Sequence, residues 1–127
     1  MLVPQWVQNG TESEVILDCD YEVDLERDKN FTLKWFFGDK NSLIYEWIPG
    51  YDFRYVSGRL EGRFNWDFVL NISSRTFHPL KKYRAVAIKR PTTEMSGRYI
   101  CQVVSSLGDD SEESTMIVFG KKKLSFS

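Results

Sequence analysis

Two cysteines constrain this chain more than any other feature. Cys19 lies in the run Val15-Ile16-Leu17-Asp18-Cys19-Asp20-Tyr21, and Cys101 lies in Gly97-Arg98-Tyr99-Ile100-Cys101-Gln102-Val103. Both runs alternate apolar and polar residues, so each cysteine falls on the apolar face of a β-strand. Two sheets packed face to face would then allow one bridge, closing a loop of about 80 residues. The chain-entropy model values such a crosslink at about 4–5 kcal/mol. The alternative is a pair of free buried thiols in a reducing compartment. Three glycosylation sequons weigh against that alternative, at Asn9-Gly10-Thr11, Asn30-Phe31-Thr32 and Asn71-Ile72-Ser73. They point to an extracellular, disulfide-permitting setting with Asn9, Asn30 and Asn71 as glycan acceptors.

The rest of the chain has no helical periodicity of useful length. Short alternating runs recur between turn-rich stretches. They predict strands over 13–21, 31–37, 42–48, 83–89, 98–105 and 114–119, with further short strands near 52–56 and 66–72. Turns are expected at Gly38-Asp39-Lys40-Asn41, Pro49-Gly50 and Leu107-Gly108-Asp109-Asp110. The 127 residues suit one domain, and a 42% apolar content supports a packed core. Eight or nine short strands make that domain an all-β sandwich or barrel. It spans 1–120, and 121–127, beginning Lys121-Lys122-Lys123, is expected to be a solvated linker or tail.

Several function classes are disfavoured at this level. Catalysis usually needs a base near a nucleophile, and the one histidine, His78, precedes Pro79 in an expected loop. Asp18 and Asp20 flank the core cysteine and are expected to face solvent. No zinc spacing, phosphate loop or cofactor motif is present, so no metal or cofactor is expected. A net charge of -1, with clusters only at Lys81-Lys82 and Lys121-Lys122-Lys123, does not suit nucleic acid. No apolar run is long enough to span a membrane. The start, Met1-Leu2-Val3-Pro4-Gln5-Trp6, lacks the features of a secretory leader, so secretion implies one already removed.

Order and spacing sharpen the fold. Trp35 follows Cys19 by sixteen residues, and Gly97-x-Tyr99-x-Cys101 closes the set. This pattern resembles the immunoglobulin domain. The resemblance implies a tryptophan on strand C packed on a Cys19–Cys101 disulfide between strands B and F, and a tyrosine corner at Tyr99. Val86 and Ile88 match the inward pair of strand E. The long interval between the cysteines matches the variable type, a Greek-key sandwich with added C′ and C″ strands. One departure is Met95, with Glu94 beside it, where the family carries an aspartate that pairs with an arginine; Glu94 with Arg59 or Arg63 is the expected substitute. The segments Leu33-Lys34-Trp35-Phe36-Phe37, Tyr45-Glu46-Trp47-Ile48-Pro49-Gly50 and Thr92-Thr93-Glu94-Met95-Ser96-Gly97-Arg98-Tyr99-Ile100-Cys101-Gln102-Val103 resemble the first domain of the insect beaten-path family. That resemblance implies an extracellular neuronal receptor or secreted adhesion protein, a sidestep-like immunoglobulin partner, and a role in axon guidance.

Parity locates a binding face independently. With Trp35 and Cys101 inward, Lys34 and Phe36 on one strand and Ile100, Gln102 and Val104 on its neighbour face outward. The next strand adds Tyr45 and Trp47, or Ile44 and Ile48, according to register. Large apolar side chains on a sheet face are the usual anchors of an interface. The competing expectation is that loops or the aromatic stretch Tyr51-Asp52-Phe53-Arg54-Tyr55 cover them. The acidic run Asp109-Asp110-Ser111-Glu112-Glu113 is expected at the F–G turn, solvated or selecting a basic partner; it lacks a calcium-loop pattern. Self-pairing, and a soluble immune-type domain that binds glycans or antigens through its end loops, remain as alternatives.

Overall fold

A computed structural model describes residues 3–8, 14–21, 30–69 and 81–120. Eight strands are present among them: β1 Trp6–Gln8, β2 Glu14–Leu17, β3 Thr32–Phe37, β4 Leu43–Ile48, β5 Phe53–Val56, β6 Val86–Lys89, β7 Gly97–Ser105 and β8 Gly108–Phe119. One sheet has six strands in the order β1-β8-β7-β3-β4-β5; the other pairs β2 with β6. All pairings are antiparallel except β1 on β8, which runs parallel from Trp6 opposite Ile117 to Gln8 opposite Phe119.

Alternation explains why these segments pair as they do. In β2, Val15 and Leu17 turn inward, and Cys19 continues the same face beyond the strand. In β6, Val86 and Ile88 do the same from the opposite direction, with Val15 opposite Ile88. The facing sheet contributes Leu33, Trp35, Tyr45, Trp47, Tyr99, Cys101, Met116 and Val118. The two inner faces meet around the Cys19–Cys101 disulfide, whose Cα atoms stand 6.4 Å apart. Trp35 is fully buried, and its indole Nε1 donates to the Arg84 carbonyl at 3.0 Å. Thus the ring at the centre of one sheet is tethered to the chain entering β6 of the other, and its indole N–H is satisfied.

The tyrosine corner forms without the aspartate. Tyr99 Oη donates to the main-chain carbonyl of Met95 at 2.6 Å, which needs no particular side chain at 95. Burial, only partly opposed by the nearby Arg59, pushes the Tyr99 hydroxyl above the ordinary tyrosine range. The expected Glu94 ion pair is replaced by a different contact. Arg59 Nη1 donates to the Glu94 main-chain carbonyl at 2.7 Å, and the guanidinium lies 4.4 Å from the centre of the Phe37 ring. Arg63 instead donates to the carbonyl of Arg90. Gly97 has φ +152°, and a Cβ there would stand 2.7 Å from Phe37 Cζ. The glycine of the Gly-x-Tyr-x-Cys motif therefore makes room for the ring that packs edge-on against Tyr99.

Three expectations need correction. The strand expected over 66–72 is absent from its described part, residues 66–69, which form a turn and irregular chain; 70–72 lie outside the described residues. The acidic run is not at the hairpin tip. Ser105 pairs with Gly108, so the turn is Ser106-Leu107, and Asp109–Glu113 lie within β8. Asp18 is not solvated. It is buried, and Arg84 clasps it with Nε at 2.8 Å and Nη2 at 3.0 Å. Arg84 Nη1 and Lys81 Nζ also reach Asp20, at 2.8 and 3.0 Å. Burial alone would raise the Asp20 pKa, but the hydrogen bond from Lys81 and the charge of Arg84 outweigh it and hold the carboxyl below its usual value.

Candidate functional site

The outer face of the six-stranded sheet can be laid out from its register. One row runs Phe53 and Ile48, then Thr32, Val104 and Asp109, Thr32 and Ile48 being the next residues beyond the Leu33–Trp47 pair. The next reads Tyr55, Glu46, Lys34, Gln102 and Ser111. A third reads Leu43, Phe36, Ile100 and Glu113. A polar row therefore lies between two apolar ones, and each row ends on β8 in an exposed polar or acidic side chain.

The polar groups of this face are mostly tied to one another. Lys34 Nζ lies 3.8 Å from Glu46 Oε2, Gln102 Nε2 donates to Asp109 at 3.0 Å, and Arg98 Nη1 lies 3.6 Å from Glu113. Positive and negative groups alternate, so the face has no strong field of one sign. Its specificity would come from the pattern of pairs rather than from net charge.

The expected site residues separate into three groups. Lys34, Gln102 and Val104 do lie on the outer face and are half-buried. Tyr45 and Trp47 do not: they are 0% and 2% exposed and belong to the core. The reason is register: Trp47 is paired with Leu33 and Tyr45 with Trp35, both inward, and paired residues share a face. A bulge then adds Ile44 to the same side. Trp35 pairs with Tyr45, but Phe36 pairs with Leu43, so Ile44 is an extra residue on β4. Ile44 and Tyr45 both reach the interior, Glu46 takes the outer position, and Ile48 is left half-buried. Tyr45 Oη donates to the Tyr83 carbonyl at 2.9 Å, and burial pushes its pKa up to about 12. Trp47 packs edge-on against Phe31 and Tyr83.

Phe36 and Ile100 form the third group. They are opposite one another, they alternate in parity with Trp35 and Cys101, and they stand outside the core cluster. Yet they are only 6% and 5% exposed, so they are not the open anchors expected. The exposed anchors are Phe53 and Tyr55, at 43% and 46%, with Tyr51 just before them at 84%. The sequence places a short strand here, with a cover over the face as the competing expectation, and does not single out Phe53 and Tyr55 as anchors. The i, i+2 aromatics of this stretch, bounded by charged residues, were the available signal for an edge strand with an apolar outer side.

The end of the sandwich near the Ser106-Leu107 turn carries a shallow cavity of about 200 Å³ lined by Phe31, Val103, Val104, Leu107, Asp109 and Asp110 among others. Asn30 stands exposed beside it with φ 55°, a left-handed conformation that asparagine tolerates. A glycan on Asn30 would border the outer face at Thr32. Asn9, Asn71 and His78 lie outside the described residues. No group of three or more metal-ligating side chains occurs among the described residues. No described helix is long and apolar enough to cross a membrane.

Comparison with known proteins gives a fold and not a close relative. No protein-family model matches the chain, and no curated protein sequence matches it. Solved structures do match. The human B7-H4 IgV-like domain superposes with a TM-score of 0.64 at 16% identity, covering 94% of this chain and 94% of that one. Human T-cell immunoglobulin and mucin domain protein 1 gives 0.60 at 15% identity, covering 92% and 99%. The V domain of amphioxus IgVJ-C2 gives 0.59 at 17% identity, covering 90% and 98%. With the disulfide, the buried tryptophan, the tyrosine corner and the six-stranded sheet in place, the fold of this chain is the variable-type immunoglobulin β-sandwich.

Proposed function

We propose that this domain is a non-catalytic, extracellular recognition module that binds another cell-surface protein through the outer face of its six-stranded sheet. One observation carries the reading: Phe53 and Tyr55 stand exposed side by side on that face, continuous with Ile48 and Val104 across the rows. Rigid aromatics on a flat sheet lose little conformational entropy when they are covered, which suits them to anchor a partner. The disulfide, the exposed sequon at Asn30 and the structural likeness to variable-type domains support an extracellular setting.

The finer reading is a beaten-path-type receptor whose partner is a sidestep-like immunoglobulin protein, acting in axon guidance and synaptic partner choice. It is supported by the resemblance of the segments around Trp35, Trp47 and Tyr99. Pairing with a second copy is the competing reading, since the alternating charge pairs of the face are compatible with a two-fold contact.

The test is a binding screen. The secreted domain, displayed multivalently, is offered to a panel of cell-surface ectodomains that includes sidestep-like proteins and the domain itself. Capture of a sidestep-like protein supports the finer reading, and capture of itself alone supports adhesion between like copies. Binding confined to glycans would overturn the protein-recognition reading.

A further inference from the structure

Phe36 and Ile100 pose a question that the sheet alone does not answer. They lie on the outer face, in the middle of the sheet, and are nevertheless buried. Their cover can be traced through two long side chains. Lys40 belongs to the Gly38–Asn41 turn between β3 and β4, and its Nζ lies 3.2 Å from Ser111 Oγ on β8. Since β7 lies between β3 and β8, that contact bridges two interstrand spacings, about 10 Å. The turn must lean back over the outer face, and the Lys40 stem must cross β7. It crosses beside Ile100, because Ser111 is opposite Gln102, the next outward residue of β7. A lysine stem is apolar enough to cover such a pair while its ammonium stays in water.

The other end of the turn is fastened more firmly. Arg98 donates from Nε and Nη2 to the Gly38 carbonyl at 2.9 and 2.6 Å, and its Nη1 faces Glu113. Gly38 N returns a bond to the Arg98 carbonyl at 2.8 Å. Lys40, by contrast, holds a neutral hydroxyl and, among the described residues, no carboxylate within ion-pair distance. A carboxylate would be the stronger acceptor, since charge-assisted hydrogen bonds are roughly twice as strong as neutral ones. The lysine end is therefore the end that lets go.

We propose that the Gly38–Asn41 turn is a strap over the apolar pair Phe36 and Ile100, and that it opens for a partner surface presenting a carboxylate beside an apolar side chain. The carboxylate takes Lys40 from Ser111, and the apolar side chain takes the place of the lysine stem. The proposal rests on the reading of this face as the docking face, and it adds the chemistry of the partner.

The test uses the free domain and two dyes, so it does not depend on the partner. Nile red is neutral and reports exposed apolar surface; anilinonaphthalene sulfonate joins an anion to an apolar ring system. Lys40→Ala should raise Nile red emission severalfold over the wild type, while Lys40→Arg should leave it unchanged. Ser111→Ala, which frees the same end without touching the stem, should give an intermediate rise. In the wild type the anionic dye should bind in a salt-sensitive way, and Lys40→Ala should abolish that sensitivity. Equal Nile red emission from wild type, Lys40→Ala and Ser111→Ala would overturn the strap. Salt sensitivity retained in Lys40→Ala would overturn the carboxylate. Neither result bears on the docking face itself, which fails separately if Phe53→Glu leaves binding to a captured ectodomain unchanged.

Discussion

Replacing Arg84 with methionine should be among the most damaging single changes in this domain. The side chains of Arg84 and Asp18 are 10% and 12% exposed, and two parallel bonds of 2.8 and 3.0 Å join them. Arg84→Met removes the cation and keeps most of the volume, so the Asp18 carboxylate stays buried with, among the described residues, only the Cys19 N–H, at 2.8 Å, still bonded to it. Breaking a buried pair from one side costs about 3–5 kcal/mol, because an uncompensated charge remains in a poorly solvated site. Removing both charges together, in Asp18→Asn with Arg84→Met, should recover much of that loss. The Trp35 indole bond persists in every variant, since it ends on the Arg84 main chain. Urea unfolding of the wild type, both single variants and the double variant closes the cycle. The reasoning is refuted if Arg84→Met costs less than about 1 kcal/mol, or if the double variant is no more stable than that single one.

Other consequences follow from the same packing. Reducing the Cys19–Cys101 bridge, with a sequence separation of 82, should cost about 4.5 kcal/mol by the loop-entropy relation, a large part of the total stability of such a domain; a melting curve unchanged by reductant would contradict this. Gly97→Ala should destabilise strongly and disturb the near-ultraviolet dichroism of Phe37 and Tyr99, because the new methyl enters the Phe37 ring and the backbone there is strained for any other residue; a wild-type spectrum and melting point would refute it. Stability should fall at both pH extremes. Tyr45 titrates near 12 instead of 10, so its contribution is complete below about pH 10 and is lost as pH rises toward 12. Asp20 is shifted down, so its contribution is present above about pH 4 and is lost on further acidification. A flat unfolding free energy from pH 9 to 12 would remove the first of these.

What the chain disclosed about itself depended on whether one residue or two were needed to see it. Trp35, Cys101 and Tyr99 could be placed because each sits on a strand whose own alternation fixes its direction, and Val86 and Ile88 likewise. The register of β4 could not, because both sides of that strand are apolar and only the pairing of Tyr45 with Trp35 and Trp47 with Leu33 selects the inward set, to which a bulge adds Ile44. The burial of Asp18 was invisible for a different reason. An aspartate beside a core cysteine reads as solvated until an arginine 66 residues away is known to clasp it. The acidic run reads as a loop because charge disfavours buried strands, yet β8 tolerates it with its outward side chains in solvent. The candidate face was legible as a face. Its anchors were not, since the cover over Phe36 and Ile100 comes from a turn, and the exposure of Phe53 and Tyr55 follows from their place on the last strand of the sheet.

The central claim is that this domain recognises a protein through the outer face of its six-stranded sheet. The most direct measurement is the affinity of a captured ectodomain for three variants: Phe53→Glu, Tyr55→Glu, and Ile16→Glu on the outward side of the β2–β6 sheet. The account predicts that the first two reduce affinity at least tenfold, equivalent to about 1.4 kcal/mol, with unchanged melting, and that Ile16→Glu binds as the wild type does. Binding that survives both aromatic substitutions and is lost with Ile16→Glu would contradict the account and move the site to the opposite sheet.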